Sequence, residues 1–82
     1  MVVVAYVTVT MKAGAEKEVL KKVVTLKEVT EVDLLYGEYA ALVKVRVEDL
    51  SQLDKFLTEK LRVLPDVFQT ASLIVAKQYQ GT

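Results

Sequence analysis

The chain has 82 residues, 52% of them hydrophobic, and it balances 11 basic against 11 acidic side chains with no histidine and no cysteine. One domain of that length buries only roughly 60–65% of its unfolded surface when it folds alone, so the apolar excess calls for association between copies. The balanced charge excludes the basic footprint of a nucleic-acid binder, and the missing cysteines exclude disulfides and thiolate metal sites.

From Val2 to Met11 nearly every residue is β-branched or aromatic, which predicts a strand. Val3, Ala5, Val7, Val9 and Met11 make one wholly apolar face, and Val2, Val4, Tyr6, Thr8 and Thr10 make a second face free of charge. A strand with two such faces is covered on both sides. The apolar run that opens it has no basic region before it and is far short of the roughly 20 residues of a membrane span, so a cytoplasmic protein is expected.

Lys12-Ala13-Gly14 breaks the strand, and Val19, Leu20, Val23 and Val24 then recur at helical spacing. A first helix is predicted from Ala15 to Leu26, with Glu16 and Glu18 in its first turn and lysines in its last, as the helix dipole favours. Lys17, Lys21 and Lys22 are the densest basic group, but with two acids among them they read as a solvated face. Residues Glu28 to Tyr36 predict a second strand, with Val29, Glu31 and Asp33 on one side and Val32 and Leu34 on the other. Gly37-Glu38-Tyr39 is a short connection, glycine supplying a backbone shape that costs other residues more.

Ala40 to Glu48 sets Ala41, Val43, Val45 and Val47 against Lys44, Arg46 and Glu48, a third strand hairpin-paired with the second. A second helix is predicted from Leu50 to Leu64, with the stripe Leu50, Leu53, Phe56 or Leu57, Leu61 and Leu64, capped by Asp49 or Ser51 and ended by Pro65. The last strand runs from Val67 to Gln78, and Leu73 to Ala76 make it almost continuously apolar there.

The order β-α-β-β-α-β is the split βαβ, or ferredoxin-like, motif, an α+β fold with both helices on one face of a four-stranded antiparallel sheet. The whole chain, residues 1–82, is one such domain. Its other sheet face has too little charge to meet water and no cover within the chain, so a second copy is expected there, sheet to sheet, as a dimeric α+β barrel.

Chemistry is harder to find. Glu48 with Asp49, and Glu28 with Glu31, read as strand ends and helix caps rather than as acids converging in a cleft. Ser51 and Ser72 have no histidine to serve as base. Gly14, Gly37 and Gly81 are isolated and make no phosphate loop. No loop holds the closely spaced acids that a carboxylate metal site needs. The chain is therefore expected to be no enzyme and to need no cofactor. The absence of Asn, Cys, His and Trp beside abundant Val, Glu and Lys suits a thermophilic source.

Two stretches go beyond a generic fold. One is Val29-Thr30-Glu31-Val32-Asp33-Leu34-Leu35-Tyr36-Gly37-Glu38-Tyr39, leading into Leu42-Val43-Lys44-Val45. The other is Leu53-Asp54-Lys55-Phe56-Leu57-Thr58-Glu59-Lys60-Leu61, followed by Leu64-Pro65-Asp66-Val67 and Thr70-Ala71-Ser72-Leu73-Ile74-Val75. By their order and spacing, from Val3 to Tyr79, they resemble the effector-binding (RAM) domain of the Lrp/AsnC transcription regulators.

In that family a helix-turn-helix domain normally precedes this one. Met1 leads directly into the first strand here, so the resemblance is to the stand-alone version. It implies a homodimer assembling into a higher oligomer, commonly an octamer-like ring of four dimers. Amino-acid effectors would bind at the contacts between dimers.

The family pocket uses a Gly-x-Tyr/Phe-Asp turn and a Thr-x-Thr/Ser pair. Gly37 and Tyr39 match the first motif, Thr70 and Ser72 the second, and Tyr36 and Glu38 flank the turn. Hydroxyls and backbone N–H groups suit the carboxylate of such a ligand, and an acid suits its ammonium. Ala40 stands where the family has the aspartate, leaving Glu38 as a stand-in.

The resemblance implies a non-catalytic module that senses an amino acid or related molecule and modulates transcription or amino-acid metabolism. The alternative is a ligand-independent assembly protein for full-length Lrp/AsnC regulators or for enzymes. An enzyme of the dimeric barrel type ranks below both, since those bring His, Asn or Trp into their cavities.

Overall fold

The computed structural model describes residues 2–36 and 40–81. The elements are β1 (Val3–Met11), α1 (Glu16–Val23), β2 (Val29–Leu34), β3 (Ala40–Val47), α2 (Leu50–Phe56), a π turn (Leu57–Leu61) that continues α2, and β4 (Val67–Ile74). The strands form one antiparallel sheet in the order β2-β3-β1-β4, the arrangement that the βαββαβ order predicts.

β1 occupies an interior position, paired with β3 on one side and β4 on the other. This explains why its sequence is dry on both faces. Val3, Ala5, Val7, Val9 and Met11 are buried beneath the helices, together with Ala41, Val43, Val45 and Val47 of β3. Val19 and Val23 of α1, and Leu53, Phe56, Leu57 and Leu61 of α2 and its π turn, complete this core. Both helices therefore pack on one face of the sheet. On the opposite face Val4, Tyr6, Thr8 and Thr10 of β1 alternate with the buried set and are half-buried, and neither helix reaches them.

The local chemistry accounts for the boundaries. Gly14 sits at φ 90°, a left-handed conformation that costs side-chain-bearing residues about 1–2 kcal/mol. Its N–H donates to the Glu16 carboxylate at 2.7 Å, which ties the turn to the first residue of α1. α1 stops at Val23, three residues before the predicted end, and Val24 of the expected stripe is exposed.

α2 starts on Asp49 rather than Ser51. The Asp49 carboxylate accepts from the Gln52 N–H at 2.9 Å, and the Gln52 side chain reaches back to accept from the Glu48 N–H at 3.1 Å. Those bonds, from the Gln52 N–H first and the Ser51 hydroxyl second, hold the Asp49 carboxyl below its ordinary pKa.

Three departures from the sequence reading have physical causes. A bulge at Thr30 sets Val29 opposite the buried Val45 while Glu31 faces Lys44, so Val29 joins Val32 on the core side instead of sharing a face with Glu31. The second helix widens into a π turn, closed by a bond from the Arg62 N–H to the Leu57 carbonyl, and ends at Leu61 rather than Leu64. β4 ends at Ile74, although the Val75 N–H still bonds to the Val4 carbonyl at 2.8 Å; Leu73 and Ile74 are exposed. Among the described residues no helix is long and apolar enough to cross a membrane.

Candidate functional site

Of the residues singled out from the sequence, Tyr36 and Ala40 border the connection between β2 and β3, and Thr70 and Ser72 lie on β4. Gly37, Glu38 and Tyr39 fall outside the described residues. Their neighbours frame the turn: Tyr36 is fully exposed just beyond β2, and the Leu35 N–H donates to the Ala40 carbonyl at 2.9 Å, closing the hairpin. Ala40 pairs with Thr10, which in turn faces Gln69 across β1.

Thr70 and Ser72 lie on β4 opposite Val9 and Val7. Those two valines point into the core, so Thr70 and Ser72 share the helix-covered face, whereas Ala40 with Thr10 is on the other. β1 runs between β3 and β4, so Ala40 and the Thr70 strand are two strand spacings apart, about 10 Å. Within one chain Ala40 and the Thr-x-Ser pair thus lie on opposite faces of the sheet.

What the fold does bring to Thr70 is Arg62. The residue follows the π turn, and its Nε donates to the Thr70 Oγ1 at 2.9 Å. The two line a hollow of about 290 Å³ with Val67, Phe68 and Gln69. Phe68 is the extra residue of a second bulge, where β4 passes from Gln69 opposite Thr10 to Val67 opposite Met11, and its ring is turned outward. Among the described residues no carboxylate pairs with Arg62. The hollow therefore offers a guanidinium, whose planar fork matches a carboxylate, beside a hydroxyl. The sequence reading missed Arg62, because only the fold carries it to a residue eight positions away on another element.

One acid read as a strand end departs from that reading. Glu28 is partly buried, and its Oε2 accepts from the Lys60 Nζ at 2.7 Å. Burial alone would push its carboxyl pKa up. The hydrogen bond from Lys60, the residue's own backbone N–H and the charges of Lys60 and Lys27 outweigh that and hold it below the ordinary value. Elsewhere among the described residues no three acids cluster as metal ligands.

Residues 4–82 match the Lrp/AsnC ligand binding domain, and the chain belongs to that family of transcription-regulator domains. It is 32% identical over 78 residues, 95% of its length, to the HTH-type transcriptional regulator FL11 of Pyrococcus abyssi, covering 51% of that protein. The chain spans about half the length of the FL11 relatives it matches, which come from thermophilic Pyrococcus species.

Among solved structures it resembles FFRP-DM1 at 40% identity and a TM-score of 0.84, over 89% of this chain and 97% of that one. It also shares its fold with the transcriptional regulator NMB0573 of Neisseria meningitidis, solved as a complex with L-Met. That likeness has a TM-score of 0.86 at 23% identity, over 98% of this chain and 53% of the other.

Proposed function

We propose that the chain is a non-catalytic effector-sensing module that works as an assembly of copies. Two chains would cover each other's outer sheet faces. Contacts between such dimers would then bring the Tyr36–Ala40 turn of one copy toward Thr70, Ser72 and Arg62 of another, forming a pocket for an amino acid or related small carboxylate. Occupancy would shift the assembly and so modulate transcription or amino-acid metabolism.

The observation that carries this reading is the outer sheet face. Val4, Tyr6, Thr8, Thr10, Leu42, Ala71 and Leu73 line an outer surface across β3, β1 and β4 with no helix over it, and Lys44 and Arg46 of β3 with Glu31 and Asp33 of β2 add charge along its β2 side. Burying such a surface against a second copy recovers roughly 25 cal/mol per Å² of apolar area. Support for a ligand comes from Arg62 and Thr70, a ready partner pair for a carboxylate. The regulator solved with L-Met supplies the amino-acid class only by analogy of fold.

Light scattering, run with and without each common amino acid, tests the reading. A mass of at least two chains that changes with one of them is expected. A mass that no amino acid alters at millimolar concentration defeats the sensing part. A second reading, an assembly domain for full-length regulators that needs no ligand, is favoured by Ala40, which leaves the turn without an acid for an ammonium.

A further inference from the structure

Five residues line the hollow beside β4, and Arg62 alone among them is charged; the others are Val67, Phe68, Gln69 and Thr70. Its volume of about 290 Å³ lies at the small end of ligand sites. Arg62 Nε donates to Thr70 Oγ1 at 2.9 Å. That bond leaves the Nη hydrogens of the guanidinium, an end-on fork that fits the two oxygens of a carboxylate. Because Thr70 Oγ1 accepts in the bond, its own hydrogen is left to donate to a further acceptor. The exposed Phe68 ring and the half-buried Val67 add apolar surface beside these donors.

This set of groups favours one kind of carboxylate over another. An amino acid carries an ammonium one carbon away from its carboxylate, so a carboxylate seated on Arg62 brings a second positive charge close to the guanidinium. No carboxylate side chain lines the hollow to receive it. Repulsion at that range is worth roughly tenfold in affinity. A 2-oxo acid presents the same carboxylate with no ammonium, and its carbonyl oxygen is an acceptor placed next to the carboxylate, where the Thr70 hydroxyl is a donor.

We infer that the hollow selects a small apolar 2-oxo acid over the amino acid of the same carbon skeleton. The Arg62 Nη groups take the carboxylate, the Thr70 hydroxyl donates to the 2-oxo oxygen, and the hydrocarbon chain lies on Phe68 and Val67. This rests on the pocket proposed above and narrows its ligand.

Calorimetric titration of the whole chain would compare 4-methyl-2-oxopentanoate, leucine and 4-methylpentanoate, which share one branched skeleton, with light scattering on the same samples. The 2-oxo acid is expected to bind roughly tenfold more tightly than leucine, and more tightly than the plain acid. Thr70→Val keeps the β-branched shape and removes the hydroxyl, and should bring the 2-oxo acid and the plain acid to within about twofold of each other. The comparison of the three acids on the parent chain needs no variant to fold. Leucine binding as tightly as the 2-oxo acid or more so, no binding of any of the three, or an advantage of the 2-oxo acid over the plain acid undiminished in folded Thr70→Val would each overturn the assignment. Scattering separates the two readings. A 2-oxo acid that binds more tightly than leucine without altering the mass upholds the ligand class and removes the sensing function, whereas leucine that binds more tightly and alters the mass does the reverse.

Discussion

Phe56 and Leu61 are large side chains buried almost completely in the core, and their spacing across the π turn lets both point at the sheet. Removing either leaves a hole that a sheet of valines is too stiff to fill. Phe56→Ala should cost about 3–5 kcal/mol in urea unfolding, and Leu61→Ala about 2–5 kcal/mol.

Glu28 adds a pH signature. Its folded pKa is lowered, so the stability it contributes is present above its unfolded pKa of about 4.3 and is lost as pH falls through the folded value. Lys60→Met should cost about 1 kcal/mol at neutral pH, since the pair is partly screened. The difference from the parent chain should vanish in acid, which unfolding curves taken between neutral pH and the acid range will check. If Arg62 lines the proposed pocket, Arg62→Gln should abolish any calorimetric response to an amino acid carboxylate while leaving the unfolding free energy within about 0.5 kcal/mol, as for other surface changes. An undiminished response would remove Arg62 from the pocket.

Among the elements, the entry to β4 shows how a turn is held. Asp66 adopts φ 69°, and its carbonyl accepts from the Lys12 N–H at 2.9 Å, linking the end of β1 to the start of β4. Asp tolerates that conformation better than most residues. Asp66→Val should therefore lower stability by about 1–2 kcal/mol and Asp66→Gly should not, a contrast that thermal melts of the two variants will read.

The same scale shows what the sequence made legible. β1 and β3 could be read because their side chains alternate over eight or nine residues, and the period of a strand leaves no other way to bury that set. The π turn was hidden, since Leu53, Leu57 and Leu61 recur every four residues and fit an ordinary α-helix equally well. The Thr30 bulge was hidden too, because one inserted residue leaves no compositional mark. Of the candidate site, Thr70, Ser72 and the turn were named from a resemblance, but Arg62 beside Thr70, and Lys60 on Glu28 from 32 residues away, depend on contacts between elements that no local pattern encodes.

For the whole molecule, the asymmetry of the sheet dominates. One face is closed by α1 and α2, and the other presents Tyr6, Leu42 and Leu73 with Lys44 stacked 5.7 Å from the Tyr6 ring centre. The proposed assembly would join copies through this uncovered face. Charges placed on the face should separate the copies without disturbing the core beneath the helices. Leu42→Glu combined with Leu73→Glu is expected to give a monomer whose far-ultraviolet circular dichroism matches that of the parent; loss of the spectrum would mean that the face also supports the fold. The most direct measurement of the central claim is the mass of the unaltered chain by light scattering at micromolar concentration. The account predicts at least twice the chain mass, rising or falling on addition of an amino acid, and a stable monomer would contradict it.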